Sequence, residues 1–376
     1  MRLLGRVIAI GAYCAVLFVA FDFLYARMFG EQTDTAFRIA DRNFHHGLAA
    51  NFEGDAVWGG HRYPFRTDSL GFKDHAVRDV ALRPSTKRVL LIGDSFTEGV
   101  GVTFGDSFAG LLYEAGQRRQ PPVEFLNAGA TSYSPSIYYR KIKYLLEIGL
   151  QFDEVVVFPD LSDIHDEATG YFCIDEDPAY RRFCSSHQGY YWDLARQYLR
   201  SFPVTDATLF GLWFRLVSGK PDDMGTPETR SSLGIFDGGP TGRWTLPGFE
   251  PGQSFAPLGV EGGIERAVKN MTKLSDLLAS RSIPMTVAVY PWPGQLAKGD
   301  LESRQVALWR DFCANRCKAF INLFPAVFAE KNAHADWYKR LFIPGDVHYS
   351  ADGNRLLFRE LESRLLPDRH DGERAR

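Results

Sequence analysis

The sequence predicts an α/β fold, a central parallel sheet of about five strands with helices on both faces. Two observations predict it. Short apolar runs recur at Arg88–Ile92, Val123–Leu126, Glu154–Phe158, Ile283–Tyr290 and Ala319–Leu323, and each reads as a strand buried on both faces. Longer helical patterns lie between them, and strands alternating with helices imply a covered parallel sheet.

In chain order, residues Val7 to Phe21 are continuously apolar, and after Asp22 the run continues through Phe23, Leu24, Tyr25 and Ala26. A stretch of roughly 20 such residues crosses a bilayer core of about 30 Å. Arg2 and Arg6 precede the run, while Arg27 is soon offset by Glu31 and Asp34. That bias places residues 1–27 as an inner-membrane anchor and the rest on the periplasmic or extracytoplasmic side. A cleaved signal peptide is the alternative, but no clear small-x-small cleavage site follows. Residues 28–85 show no sustained periodicity and read as a stem packing on a main domain of residues 86–370.

Helical patterns run from Ser107 to Ala115, Ser136 to Ile148, Gly263 to Ser280 and Leu301 to Asn315. Ala351 to Leu366 closes the domain, with Leu356, Leu357, Leu361 and Leu365 on one face and Ser350 placed to cap it. Residues 166–258 interrupt the alternation and hold Tyr171, Phe172, Tyr190, Tyr191, Trp192, Trp213, Phe214 and Trp244. An insertion of that length reads as a lid or binding element, or as a small core of its own.

Composition narrows the function classes. A net charge of −3 with both signs dispersed offers no basic stripe for nucleic acid. Cys14 lies in the membrane run, leaving Cys173, Cys184, Cys313 and Cys317. No histidine sits near them at zinc-site spacing, so in an oxidising compartment local disulfides, Cys173–Cys184 and Cys313–Cys317, are the expectation. The second pair requires its helix to end near Ala314. No metal or organic cofactor is indicated.

The chemistry concentrates at two places. Gly93-Asp94-Ser95-Phe96 directly follows the first strand, at a carboxyl end where reactive groups of such sheets collect. A serine hydroxyl needs a base, and His348 in Gly345-Asp-Val-His-Tyr-Ser350 is the candidate, lying just before the final helix. Asp346, two residues earlier, can bond the imidazole and fix its tautomer.

With these residues the chain resembles the SGNH, or GDSL-type, hydrolase superfamily, whose blocks occur in their usual order from about residue 88 to 366. The resemblance implies a three-layer flavodoxin-like fold with Ser95 as nucleophile. Asn127-Ala-Gly-Ala130 is similar to the second block, which makes Gly129 an oxyanion-hole donor. The third block usually reads Gly-x-Asn-Asp; here it is Asp160-Leu-Ser-Asp163, so Ser162 stands where the family's oxyanion-hole Asn would be. The last block is Asp346-Val-His348 rather than Asp-x-x-His, a spacing similar to that of SGNH-like O-acetyltransferases acting on exported polysaccharides such as alginate. Phe65-Arg-Thr-Asp-Ser-Leu-Gly-Phe72 also resembles a segment found in membrane-anchored members.

The implied chemistry is an acyl-enzyme on Ser95, with His348 as base and the Ser95 amide, Gly129 amide and Ser162 hydroxyl facing the oxyanion. Water or a sugar hydroxyl would then take the acyl group from an acylated carbohydrate or small acyl ester of the envelope. A non-catalytic SGNH-fold glycan-binding protein is the competing expectation, motivated by Asp160 and Ser162.

Overall fold

A computed structural model describes residues 2–28, 37–58, 61–174 and 236–367. Helix α1 (Arg2–Met28) belongs to one compact unit and the described residues from Phe37 onward to another. Along α1 the apolar side chains are exposed, Ile8 and Val16 among them, while Asp22 is buried. Among the described residues no helix is long and apolar enough to cross a membrane.

The second unit opens with two antiparallel hairpins, β1 (Arg38–Asp41) with β2 (His45–Leu48), and β3 (Glu53–Trp58) with β4 (His61–Arg66). Phe37 and Phe65, stacked with centroids 4.0 Å apart, are buried in the same core as the main sheet. The stretch read as an aperiodic stem is therefore built of short strands. They are too brief, at four to six residues, to show a repeating pattern.

β5 (Lys87–Gly93) begins the main sheet and leads into the one-turn helix α2 (Ser95–Glu98) and then α3 (Phe108–Gln117). β6 (Val123–Asn127), α4 (Pro135–Glu147), β7 (Glu154–Phe158) and α5 (Asp163–Thr169) follow. After the insertion come α6 (Gly259–Ala279), β8 (Met285–Val289), α7 (Pro293–Lys298), α8 (Arg304–Cys313) and β9 (Ala319–Asn322). The chain closes with α9 (Phe324–Ala333), α10 (Trp337–Leu341) and α11 (Ala351–Leu365).

The five strands are parallel in the order β6-β5-β7-β8-β9. β7 and β8 are buried at every position, and each valine in them contributes about 1.5–3 kcal/mol by leaving water. Because the chain steps one way from β5 to β6 and the other way from β7 onward, right-handed crossovers put α3 on the opposite face from α4 and α6. The reversal leaves a crevice outside the carboxyl ends of β5 and β7, the place where such sheets bind ligands.

Cys313 is the last residue of α8, and it is bonded to Cys317 with Cα atoms 4.7 Å apart. Cys173 is disulfide-bonded as well; Cys184, its expected partner, lies outside the described residues. So do Tyr190, Tyr191, Trp192, Trp213 and Phe214 of the insertion. Within the described part, Trp244 is buried and its indole donates to the carbonyl of Leu161, in the turn between β7 and α5.

Candidate active site

The β5 strand ends at Gly93, and Asp94 caps α2 by accepting the Phe96 amide at 2.9 Å. That turn sets Ser95 as the first residue of α2, at the carboxyl edge of the sheet. A helix this short must be held from outside. Gly99 ends it in the left-handed region at φ 77°, where a residue with a Cβ is strained. The buried Lys73 ammonium donates to the carbonyls of Gly99 and Val102 at 2.6 and 2.7 Å. Glu98 accepts both arms of the Arg38 guanidinium at 2.8 Å, and also the amide and hydroxyl of Thr131. Burial opposes ionisation of Glu98, yet the Arg38 charge outweighs it and holds the carboxyl below its usual range.

His348 comes to Ser95 from the loop between α10 and α11. Its Nε2 is 2.8 Å from Ser95 Oγ, and its Nδ1 is 2.7 Å from Asp346 Oδ1. Asp346 lies two residues before the histidine and folds back, so that its Oδ1 also accepts the Val347 and His348 amides at 2.6 and 3.2 Å. The other oxygen, Oδ2, accepts the indole N–H of Trp58. Burial pushes the Asp346 carboxyl up, but His348 and then Trp58 draw it down to about 2, so it is ionised at neutral pH. An ionised Asp346 selects the tautomer with the proton on Nδ1 and leaves Nε2 free to accept from the serine.

The remaining expected residues reach the same edge but are otherwise occupied. Gly129 packs on α2 so closely that a Cβ there would lie 2.8 Å from the Thr97 Cβ and 3.0 Å from the Glu98 amide nitrogen. Its own amide donates to the Asn127 side chain at 3.1 Å. The Ser162 hydroxyl donates to Asp160 Oδ1 at 2.6 Å, alongside the Ser162 amide at 2.8 Å. To face an oxyanion, that hydroxyl has to turn away from Asp160. The Ser95 amide, at the first turn of a helix, has no intrahelical acceptor.

Sequence reasoning missed Trp58. Its ring meets the His348 ring edge-on at 5.2 Å, and it comes from the first 85 residues, which were assigned no part in the site. The signal was the dipeptide Gly59-Gly60, a mark of a two-residue hairpin turn. The sequence also named, without showing their electrostatics, three carboxyls of the same edge. Asp94, Asp160 and Asp163 are all buried, and among the described residues none of them is in an ion pair. Burial, then the Asp160 charge, raises both Asp94 and Asp163 well above the ordinary carboxyl range. Asp163 is held by the Tyr138 hydroxyl at 3.0 Å, and Asp160 Oδ2 by the Trp292 indole at 2.8 Å. No cluster able to hold a metal ion occurs among the described residues.

No protein-family model and no curated protein matches the chain. Solved structures similar to it include a member of the lipolytic protein G-D-S-L family from Veillonella parvula DSM 2008, at 13% identity and TM-score 0.39, covering 76% of this chain and 100% of that one. A catalytic mutant of an acetylxylan esterase from Geobacillus stearothermophilus matches at 10% identity and TM-score 0.41, covering 77% of this chain and 98% of that one. An esterase from Pseudoalteromonas sp. matches at 10% and 0.39, with 74% and 97% covered. At these scores the likeness carries no argument about chemistry, which is read from the site's own residues.

Proposed function

We propose that the protein is a serine-nucleophile acyl esterase or O-acyltransferase. The observation that carries this reading is the continuous line of hydrogen bonds from Ser95 through His348 to Asp346 at the carboxyl edge of the sheet. In the reading, Ser95 Oγ attacks an acyl carbonyl as its proton passes to His348 Nε2. The Ser95 amide meets the oxyanion, and the imidazolium formed is stabilised by ionised Asp346. His348 then returns the proton to the leaving group, and water or a sugar hydroxyl resolves the acyl-enzyme. The substrate we propose is an acyl ester on an envelope or exported glycan. The exposed apolar residues of α1 support placing the chain at a membrane through its N-terminal helix, with the site on the extracytoplasmic side.

A fluorophosphonate probe tests the reading without a guess of substrate. Stoichiometric label on Ser95 of the full chain is expected, with none on Ser95→Ala, whose ester turnover should fall by about 10⁴-fold or more. Folded wild-type protein that takes no label would overturn it. One observation favours a second reading, a glycan-binding protein that keeps the fold without catalysis: the Gly129 amide and Ser162 hydroxyl are bonded inside the protein.

A further inference from the structure

Ser95 Oγ has one proton and two neighbours that could accept it. His348 Nε2 lies at 2.8 Å and Asp94 Oδ2 at 3.1 Å. The two oxygens of Asp94 are not equivalent. Oδ1 accepts the Phe96 amide at 2.9 Å and the Tyr290 hydroxyl at 3.3 Å, which is the pattern of a carbonyl oxygen with both lone pairs used. Among the described residues, Oδ2 has the serine hydroxyl as its one hydrogen-bond neighbour. If Oδ2 carried negative charge it would compete with His348 for the serine proton, near the buried carboxyls of Asp160 and Asp163.

We propose that Asp94 is a neutral carboxylic acid that donates its Oδ2 proton to Ser95 Oγ and so directs the serine's own proton to His348. Every group then donates once and in one direction: Asp94 Oδ2–H to Ser95 Oγ, Ser95 O–H to His348 Nε2, His348 Nδ1–H to Asp346. The row has an acid at one end and a carboxylate at the other, and their surroundings account for the difference. Asp346 receives an indole N–H and two amides on its oxygens. Asp94 is fully buried, with the Tyr290 hydroxyl and the Phe96 amide as its donors and Asp160 as the charge beside it.

As the acyl bond forms on Oγ, the serine proton moves to His348 and Asp94 keeps its own, remaining a donor to the oxygen. Asp94 is thus a positioning residue for the serine. The inference rests on Ser95 being the nucleophile, but its test does not need turnover.

Infrared difference spectra of the full chain, with ¹³C-labelled aspartate to identify the bands, read the protonation state directly. At neutral pH, wild type minus Asp94→Asn should show the carbonyl stretch of a protonated carboxylic acid; a difference holding only ionised carboxylate bands would overturn the proposal. Should Asp94→Asn fail to fold, wild-type protein before and after fluorophosphonate modification supplies the same readout. A new group on Oγ must shift a carboxylic-acid band of an aspartate that is retained in Asp163→Asn, and shifts confined to carboxylate bands, or lost with Asp163, overturn the idea. Protein that shows the acid band in the Asp94→Asn difference yet takes no label keeps Asp94 as inferred and removes the hydrolase reading, so the two failures are distinct.

Discussion

The two ends of the parallel sheet differ in how they hold buried carboxyls. At the amino ends every buried acid or base is paired. Buried Arg88 meets Glu124 at 2.7 Å and the carbonyls of Ala81 and Gln151, while Glu154 holds Lys318 at 2.8 Å and Thr286 at 3.1 Å. At the carboxyl ends Glu98 is paired with Arg38, but Asp94, Asp160 and Asp163 have hydroxyl and indole donors and, among the described residues, no cation paired with them. The paired edge ties the strands together; the unpaired edge holds carboxyls in a condition that costs stability, as working sites commonly do.

The largest effect should come from breaking the paired edge. Arg88→Ala removes the donor to two buried carbonyls and one carboxylate, and should cost about 3 kcal/mol in denaturant unfolding while leaving Ser95 labelling of the folded fraction intact. Loss of labelling without loss of stability would mean that the edges are coupled.

Next in size are two carboxyls with opposite pH dependence. Asp346, held at about 2, adds stability above the ordinary value of 3.8 that is lost as pH falls through about 2. The stability gap between wild type and Asp346→Asn should therefore narrow by about 2 kcal/mol from about pH 5 toward pH 2. Asp163 is shifted upward by burial and by Asp160, so its contribution is present below 3.8 and lost as pH rises. Asp163→Asn should gain on wild type as pH increases. Unfolding curves for both variants across pH check the two signs together.

A smaller effect isolates the link between the N-terminal hairpins and the site. Trp58→Phe keeps the ring beside His348 but removes the N–H bonded to Asp346, and should lower the labelling rate about tenfold. An unchanged rate would assign Trp58 to packing alone. The smallest effect is expected at Ser162, whose hydroxyl is spent on Asp160: Ser162→Ala should reduce kcat on an acetyl ester by less than about threefold, under about 1 kcal/mol. A larger fall would show the hydroxyl turning to the oxyanion during reaction.

Local pattern alone determined the five strands, their parallel arrangement and the serine after the first of them, because a strand buried on both faces needs an unbroken apolar run. It also paired His348 with Asp346, since two residues of separation suffice for the carboxylate to fold back. The disulfide between Cys313 and Cys317 was legible for the same reason of short range. The strand order, the β1–β2 hairpin and the indole on Asp346 required the tertiary structure. Trp58 and Asp346 are 288 residues apart, and four-residue strands carry too little periodicity to be seen. Nor could the sequence direct the protons of Ser95 and Ser162. Each hydroxyl has one hydrogen, and which neighbour receives it depends on distances set only when β5, β7 and the final loop are brought together.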